Sequence, residues 1–478
     1  MENQRWPWAT NWRRSQQHLQ SSRKEDSDSS DHYGPKNHDD GDGSSFKRLS
    51  KLDQQRSKDG WTSTKVSLRE RLSHFTWCWF ECTMSTGALA VLLGIQIVEH
   101  PHDSSTIMRN MILRVLGSGF YVLQVLLFGL FCALITARFC IRPAALKASL
   151  HHPQESFFFG TLWVSIALIL DGTQQYGVHW LSKISGGDAQ SLSWRLTLAI
   201  EVAFWIYAGG ALQLVIFQYH VIFDEVRLPV AQQAMPTWIL PAYPFIVMGL
   251  LATLILESSV QELKLHEEAA PMLIGGIVFA GLGWCLAFLM YTIYFTRLIN
   301  GALPEASKRP DMFVAVGPAG YTASALAGLG MQAPKVIPAT YLGITSGVPT
   351  GDLWKAMSVP AAMFVWMIGF WFLAQAAVST LRGAPKMRFT LSCWALIFPN
   401  AGLTIGMAQI GRAIDSERIQ NYVVPAATVV LVVIWLLVAA MNVRAVWRGD
   451  LLWPGKDEDM EGLEDEGRWE EKKARHKD

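Results

Sequence analysis

Residues 391–410 read LSCWALIFPNAGLTIGMAQI. The stretch is apolar and long enough to cross a bilayer as a helix, which takes about 20 residues. Yet Phe398-Pro399-Asn400 stands at its centre. A proline inside a helix lacks an N–H and clashes with the carbonyl four residues back. A carbonyl freed in this way cannot face lipid; it is met by other protein groups or it lines a wet cavity. A broken apolar helix at membrane depth therefore points to an internal pathway.

Of 478 residues, 50% are hydrophobic and 17% charged, against roughly 25% charged in a soluble domain. The charges crowd into residues 1–72, into short interruptions and into the tail after Trp447. Between them lie ten apolar runs, at roughly 75–96, 115–137, 157–177, 196–218, 238–256, 272–297, 313–332, 356–379, 390–410 and 423–446. The expected fold is an all-α membrane protein with ten transmembrane helices, and short connections predict that they pair as hairpins. Residues 1–70, which include SSRKEDSDSSDHYGPKNHDDGDGSS, cannot bury enough apolar surface to offset chain entropy and are expected to be a disordered tail. Residues 71–447 form the ten-helix domain, and residues 448–478 a second charged tail.

An even number of spans puts both termini on one side. The loops on that side carry Arg138, Arg142, Lys147, Arg227, Arg297, Lys308, Arg309, Arg382, Lys386 and Arg388, while the opposite face carries the acidic ESSVQELKLHEEAA. The positive-inside rule then makes both termini cytoplasmic. A net charge of +1 gives no nucleic-acid footprint. The six cysteines lie in or beside apolar runs and read as buried thiols, not as a disulfide framework or a metal site. No nucleophile–base pair or metal cluster argues for an enzyme, and no cofactor is implied. His151 and His152 are adjacent and so point apart on a helix.

The signature at Pro399 recurs. Pro241 and Pro244 fall in the fifth run and Pro318 in the seventh. Pro399 would free the carbonyl of Ala395, and Pro318 that of Val314. These breaks fall in odd-numbered runs, while the even runs are smoother apart from Pro360 near the start of the eighth, so the odd spans are expected to surround a pathway with the even spans packed outside. Small residues in MSTGALA (84–90), VGPAGYTASALAGLG (316–330) and PNAGLTIG (399–406) suit close backbone approach. Embedded ionisable groups are functional hypotheses by default. Glu81 is the deepest; His74, Cys78, Glu81 and Ser85 fall at i, i+4, i+7 and i+11, one stripe of a helix. Glu81 with His74 is thus the candidate proton-linked pair, with a hydrogen-bonded structural carboxyl as the alternative. Asp171, close to a span end, reads as a cap or a water-facing group, and Glu201 as a carboxylate at a helix N-terminus.

Six stretches carry a resemblance: RLSHFTWCWFECTMSTG (71–87), HHPQESFFFGT (151–161), MPTWILPAYP (235–244), RPDMFVAVGPAGYTASAL (309–326), CWALIFPNAGLTIGMAQIGRAID (393–415) and WPGKDED (453–459). In these the chain resembles the fungal malic acid transport proteins, C4-dicarboxylate carriers of the tellurite-resistance/dicarboxylate transporter family. Plant slow anion channels and fungal sulfite efflux pumps are more distant relatives. The resemblance implies five hairpins in quasi-fivefold arrangement around a central pore, with bent odd helices lining it and homotrimeric assembly. It implies a pore gate at Phe398, the position matching the family's plugging phenylalanine on the ninth helix. Pro399, Pro318, Pro241 and Pro244 would bend the lining helices. With no Lys or Arg in the path, a dianion would be held by weak donors: Asn400, Thr404, Ser85, Thr86, Thr322, Ser324 and backbone N–H groups. The implied partner is a C4-dicarboxylate anion, malate first, then succinate or fumarate, carried across a lipid bilayer, the plasma membrane first and an organellar membrane as the alternative. Two alternatives stay open: export of sulfite or another inorganic anion, and a sensor signalling through the Ser-rich N-terminal tail.

Overall fold

The computed structural model describes residues 67–98, 103–152, 154–184, 189–224, 234–261, 266–301, 303–343 and 347–452, all within one compact unit, Val66–Asp478. Most of both expected tails, with the WPGKDED stretch, lies outside the described residues.

Among the described residues, ten helices are long and apolar enough to cross a membrane. They are α1 Trp77–Ile95, α2 Ser104–Ile141, α3 Glu155–Leu181, α4 Leu192–Phe223, α5 Pro236–Ser258, α6 Ala269–Asn300, α7 Ala306–Val336, α8 Thr350–Lys386, α9 Leu391–Ala413 and α10 Ile419–Arg448. Each coincides with one apolar run of the sequence. No strand occurs among the described residues. Each odd span packs against the even span that follows it, giving five hairpins. The odd spans also touch one another in a closed cycle, α1 to α3 to α5 to α7 to α9 and back to α1.

Burial follows this order. In the odd spans 56–100% of the apolar window is buried, in the even spans 17–44%. The even spans expose large apolar side chains such as Leu126, Ile206, Phe364 and Leu437. In water these would be costly; in a bilayer they face hydrocarbon, the only solvent that suits ten such helices. Small residues let the odd backbones meet. A Cβ on Gly320 of α7 would stand 2.4 Å from the Leu403 nitrogen of α9, an approach only glycine allows.

The odd spans share one local design that the sequence did not announce. Each opens with 3₁₀ turns and converts to α-helix deep in the protein: at Phe80 in α1, Phe159 in α3, Tyr243 in α5, Gly317 in α7 and Phe398 in α9. This corrects two expectations. The prolines do not break a running α-helix. Pro244, Pro318 and Pro399 stand at the second residue of a new one, where the missing N–H costs nothing, and Pro241 lies within the 3₁₀ turns before it. The stripe from His74 to Ser85 is also interrupted. His74 caps a short helix, Leu68–Ser73, and Cys78 lies in a 3₁₀ turn, so only Glu81 and Ser85 share α-helix. Among the cysteines, Cys78, Cys82 and Cys393 are buried, but Cys140 and Cys285 are exposed on lipid-facing even spans, because an apolar run does not say which face looks inward.

The N-terminal entrance of the bundle is fixed by a buried ion pair. Arg138, at the end of α2, meets Glu155 at 2.5 Å and donates to the Phe75 carbonyl at 2.8 Å. Beside it, His152 Nδ1 accepts the Glu155 N–H at 3.1 Å, and burial holds the imidazole pKa below its usual value.

Candidate functional site

Phe398 is fully buried at the start of the α-helix of α9. Its ring stacks on Tyr321 of α7, with centroids 4.8 Å apart at 24°. It also meets Tyr243 of α5 at 5.4 Å and 56°. The Tyr321 contact is between neighbours in the cycle. The Tyr243 contact is not: α5 and α9 are separated by α7, so these rings meet inside the ring of helices. The two tyrosines are held by the carbonyls around the helix starts. Tyr321 donates to the Phe398 carbonyl at 3.3 Å, and Tyr243 to that of Val314 at 2.5 Å. Val314 is the residue whose carbonyl Pro318 was expected to free, and a hydroxyl from a neighbouring span meets it, as a nonpolar surrounding demands. Tyr291 of α6 does the same for Ala315 at 2.7 Å. Two glycines make room: a Cβ on Gly402 would lie 2.3 Å from the Tyr321 ring, and one on Gly317 would lie 2.2 Å from the Tyr243 hydroxyl.

The remaining sequence candidates divide. Ser85 donates to the Trp394 carbonyl at 3.1 Å, bracing α9 before its turn of helix type. Thr86 donates to its own helix at Cys82 and accepts from Trp435 Nε1 of α10 at 3.1 Å, so it faces outward. Asn400 spends an amide hydrogen on the Leu396 carbonyl at 2.8 Å, and Thr404 its hydroxyl on the Asn400 carbonyl at 2.8 Å. Thr322 and Ser324 of α7 are different. Both are buried, and neither hydroxyl has a hydrogen-bond partner among the described residues. The same holds for the amides of Gln174 in α3 and Gln409 in α9. A buried polar group left without a partner costs about 1–3 kcal/mol, so such a set concentrated on the odd spans calls for a function.

Two carboxyls reach across the cycle. Glu81 of α1 lies within electrostatic reach of the Tyr243 hydroxyl on α5, and of Cys393 on α9. Asp171 of α3 lies within reach of Tyr207 on α4 and Tyr321 on α7. Asp171 neither caps a helix nor meets water; it is fully buried, and both oxygens are without a hydrogen-bond partner among the described residues. His74 lies with the entrance helix, away from the α-helical part of α1. Glu201 stands well inside its helix, Ala189–Asp224, not at its start.

The C-terminal ends of all five odd spans converge on one cavity of about 790 Å³. Among the described residues it is lined by Arg109 and Arg114 of α2, Lys335 of α7 and Arg412 of α9, against one carboxylate, Glu257 of α5. None of these four cations was among the residues the sequence singled out as lining a path. Hydropathy placed Arg109 and Arg114 outside the second run; the helix starts earlier, at Ser104, and brings them back over the cavity. Two π-helical turns, Thr173–Gly177 and Ile419–Val423, present Gln174, Gln175 and Gln420 to the same space, a common use of such turns.

A closed cycle of apolar helices around buried polar side chains, with a cationic cavity at the C-terminal ends of the odd spans, fits a multi-pass membrane protein of the transport class. Residues 74–443 match the SLAC1 family, described as voltage-dependent anion channels, and the chain belongs to that family. A malic acid transport protein of Schizosaccharomyces pombe is 30% identical over 398 residues, covering 82% of this chain and 83% of the relative. A putative malic acid transport protein of the same yeast is 27% identical over 402 residues, 84% and 86% of the two chains. The sulfite efflux pump SSU1 of Arthroderma benhamiae is 25% identical over 402 residues, 84% and 96%. These named relatives are transporters, not enzymes.

Proposed function

We propose that the chain carries C4-dicarboxylate anions, malate first and succinate or fumarate with it, through the centre of the odd-span ring, with Phe398 as the gate. The observation that carries the reading is the meeting of Phe398 with Tyr243 across the cycle and with Tyr321 beside it. Three rings fill the middle, with polar side chains beyond them and cations at the mouth. Turning the Phe398 ring aside would join the two sides. Thr322, Ser324 and Gln409 then offer uncommitted donors to a passing anion, numerous enough to replace water and weak enough to release it. The choice of a dicarboxylate over sulfite rests on the two malate-transport relatives, which are more similar than the sulfite pump. In this reading both termini are cytoplasmic, the membrane is the plasma membrane, three copies assemble with one pore each, and Glu81 is the proton-linked carboxyl.

The test is flux of radiolabelled malate into proteoliposomes holding the purified full chain. Malate uptake that succinate and fumarate compete, and that sulfite competes less well, is expected. Sulfite flux without malate flux would overturn the substrate; no flux of either would overturn the class.

A further inference from the structure

We propose that the cationic mouth is a docking subsite selective for doubly charged carboxylates, with Glu257 as a built-in competitor for one of its cations; this rests on the dicarboxylate reading above. Four cations face one carboxylate in a cavity formed by the ends of five spans. One conservative explanation is that cations near helix C-termini offset the helix dipole. It accounts for Lys335 and Arg412, which lie in the last turns of their helices. It does not account for Arg109 and Arg114, on the N-terminal turns of a helix, where the dipole gives a cation no support.

Among the described residues, these cations are not neutralised by acids nearby either. Arg109 donates to Asn421 Oδ1 at 2.9 Å, Arg114 rests on the His179 ring at 2.6 Å, and Lys335 reaches Gln332 Oε1 at 3.4 Å. All three partners are neutral amides or an imidazole, and none of the three cations has a carboxylate within ion-pair distance among the described residues. Only Arg412 does, 3.5 Å from Glu257, and it also donates to the Ile95 carbonyl. These neutral partners orient the cations, and among the described residues their charge is left uncompensated, which focuses the field on the cavity and raises the local concentration of an anion. Coulomb energy scales with ligand charge, so a dianion gains twice what a monoanion gains. An arriving carboxylate replaces Glu257 at Arg412. The groups are half-exposed or exposed, in reach of solvent, so the dianion docks and leaves without being trapped.

The experiment measures KM and kcat for malate in proteoliposomes with the full chain, comparing Lys335→Gln, Arg114→Gln, the double variant, Glu257→Gln and Lys335→Arg. Each lost cation is expected to raise KM about tenfold with kcat kept, the double variant to compound the effect, Glu257→Gln to lower KM about threefold, and Lys335→Arg to restore it. Raising ionic strength should lift the wild-type KM more steeply than that of the double variant. Lys335 is exposed, so its variants test the idea even where Arg114→Gln fails to assemble. KM within twofold of wild type in Lys335→Gln, or a fall in kcat at constant KM, overturns the docking role. If the wild type moves malate and the variants do not differ, docking alone fails; if the wild type moves no malate, the transport reading fails and takes this proposal with it.

Discussion

Replacing Phe398 with alanine tests the gate most directly. The ring is fully buried and makes two aromatic contacts, with Tyr321 at 4.8 Å and Tyr243 at 5.4 Å. Aromatic pairs contribute about 0.5–1.5 kcal/mol each beyond area burial, so the closed arrangement holds by about 1–3 kcal/mol through these two contacts. If closure is the barrier, removing them raises the open fraction, and with it resting flux, about 5- to 150-fold. Tyr321 and Tyr243 stay anchored by their hydroxyls to the Phe398 and Val314 carbonyls, so they do not collapse into the space. Losing a buried phenylalanine also costs about 3–5 kcal/mol of stability. Phe398→Leu keeps most of the volume without the aromatic contacts and is expected to show an intermediate gain. The assay is malate efflux from proteoliposomes at zero potential, normalised to folded protein. Unchanged flux in a folded Phe398→Ala protein would refute the gate.

The other predictions are narrower. Glu81→Gln is expected to flatten the pH dependence of malate uptake; an unaltered profile removes Glu81 from any proton-linked role. Gly402→Ala puts a methyl 2.3 Å from the Tyr321 ring, which should push the ring off Phe398, destabilise the fold by the ~1–3 kcal/mol typical of overpacking, and so lower the Tm and raise resting flux together. Arg138→Leu leaves Glu155 buried without its cation and should cost about 3–5 kcal/mol, while the double change with Glu155→Leu recovers most of it, as a thermal-shift comparison in detergent would record. Burial lowers the His152 pKa in the folded protein, so the unfolded chain binds the extra proton. That stability is present above about pH 6.5, the unfolded value, and is lost as pH falls through the folded pKa. His152→Asn should flatten this acid limb of the Tm curve, and an unchanged limb would assign it to other groups.

All ten spans were legible because hydropathy depends only on composition over a window, and lipid accepts little else. Their ends were not: α2 runs from Ser104 to Ile141, whereas its apolar run spans roughly 115–137. A helix continues past the hydrocarbon into polar turns that a hydropathy reading treats as loop, and Arg109 and Arg114 were lost there. The prolines marked the odd spans correctly as irregular but misled on the form. Proline breaks a helix or begins one, and only the preceding turns decide which; here 3₁₀ turns precede it. In α1 and α3 the same junction occurs at Phe80 and Phe159 with no proline beside it. The repeat was therefore invisible to any search for shared residues and lies in backbone geometry alone. Tyr243 and Tyr321 were missed for a related reason: each looks like one more aromatic in an apolar run, and only the closing of the cycle brings both onto Phe398.

The distribution of charge follows a physical logic that the sequence had half stated. No Lys or Arg lies at mid-span, and the cations stand at the mouth. A cation at the constriction would sit where the effective dielectric is low, and a dianion paired with it there would be bound too strongly to leave. In the half-exposed cavity, the same charge attracts an anion over about a Debye length, ~8 Å at physiological salt, and the high local dielectric keeps the contact weak enough to release it. The constriction is then left to rings, hydroxyls and amides, whose individually weak interactions stabilise an anion only while several act at once. If the proposed gate and docking roles hold, recruitment and passage are separated along the axis, so a charge change at the cavity should move KM and a ring change at Phe398 should move kcat. A single residue whose substitution moved both equally, in a protein that folds normally, would contradict that separation.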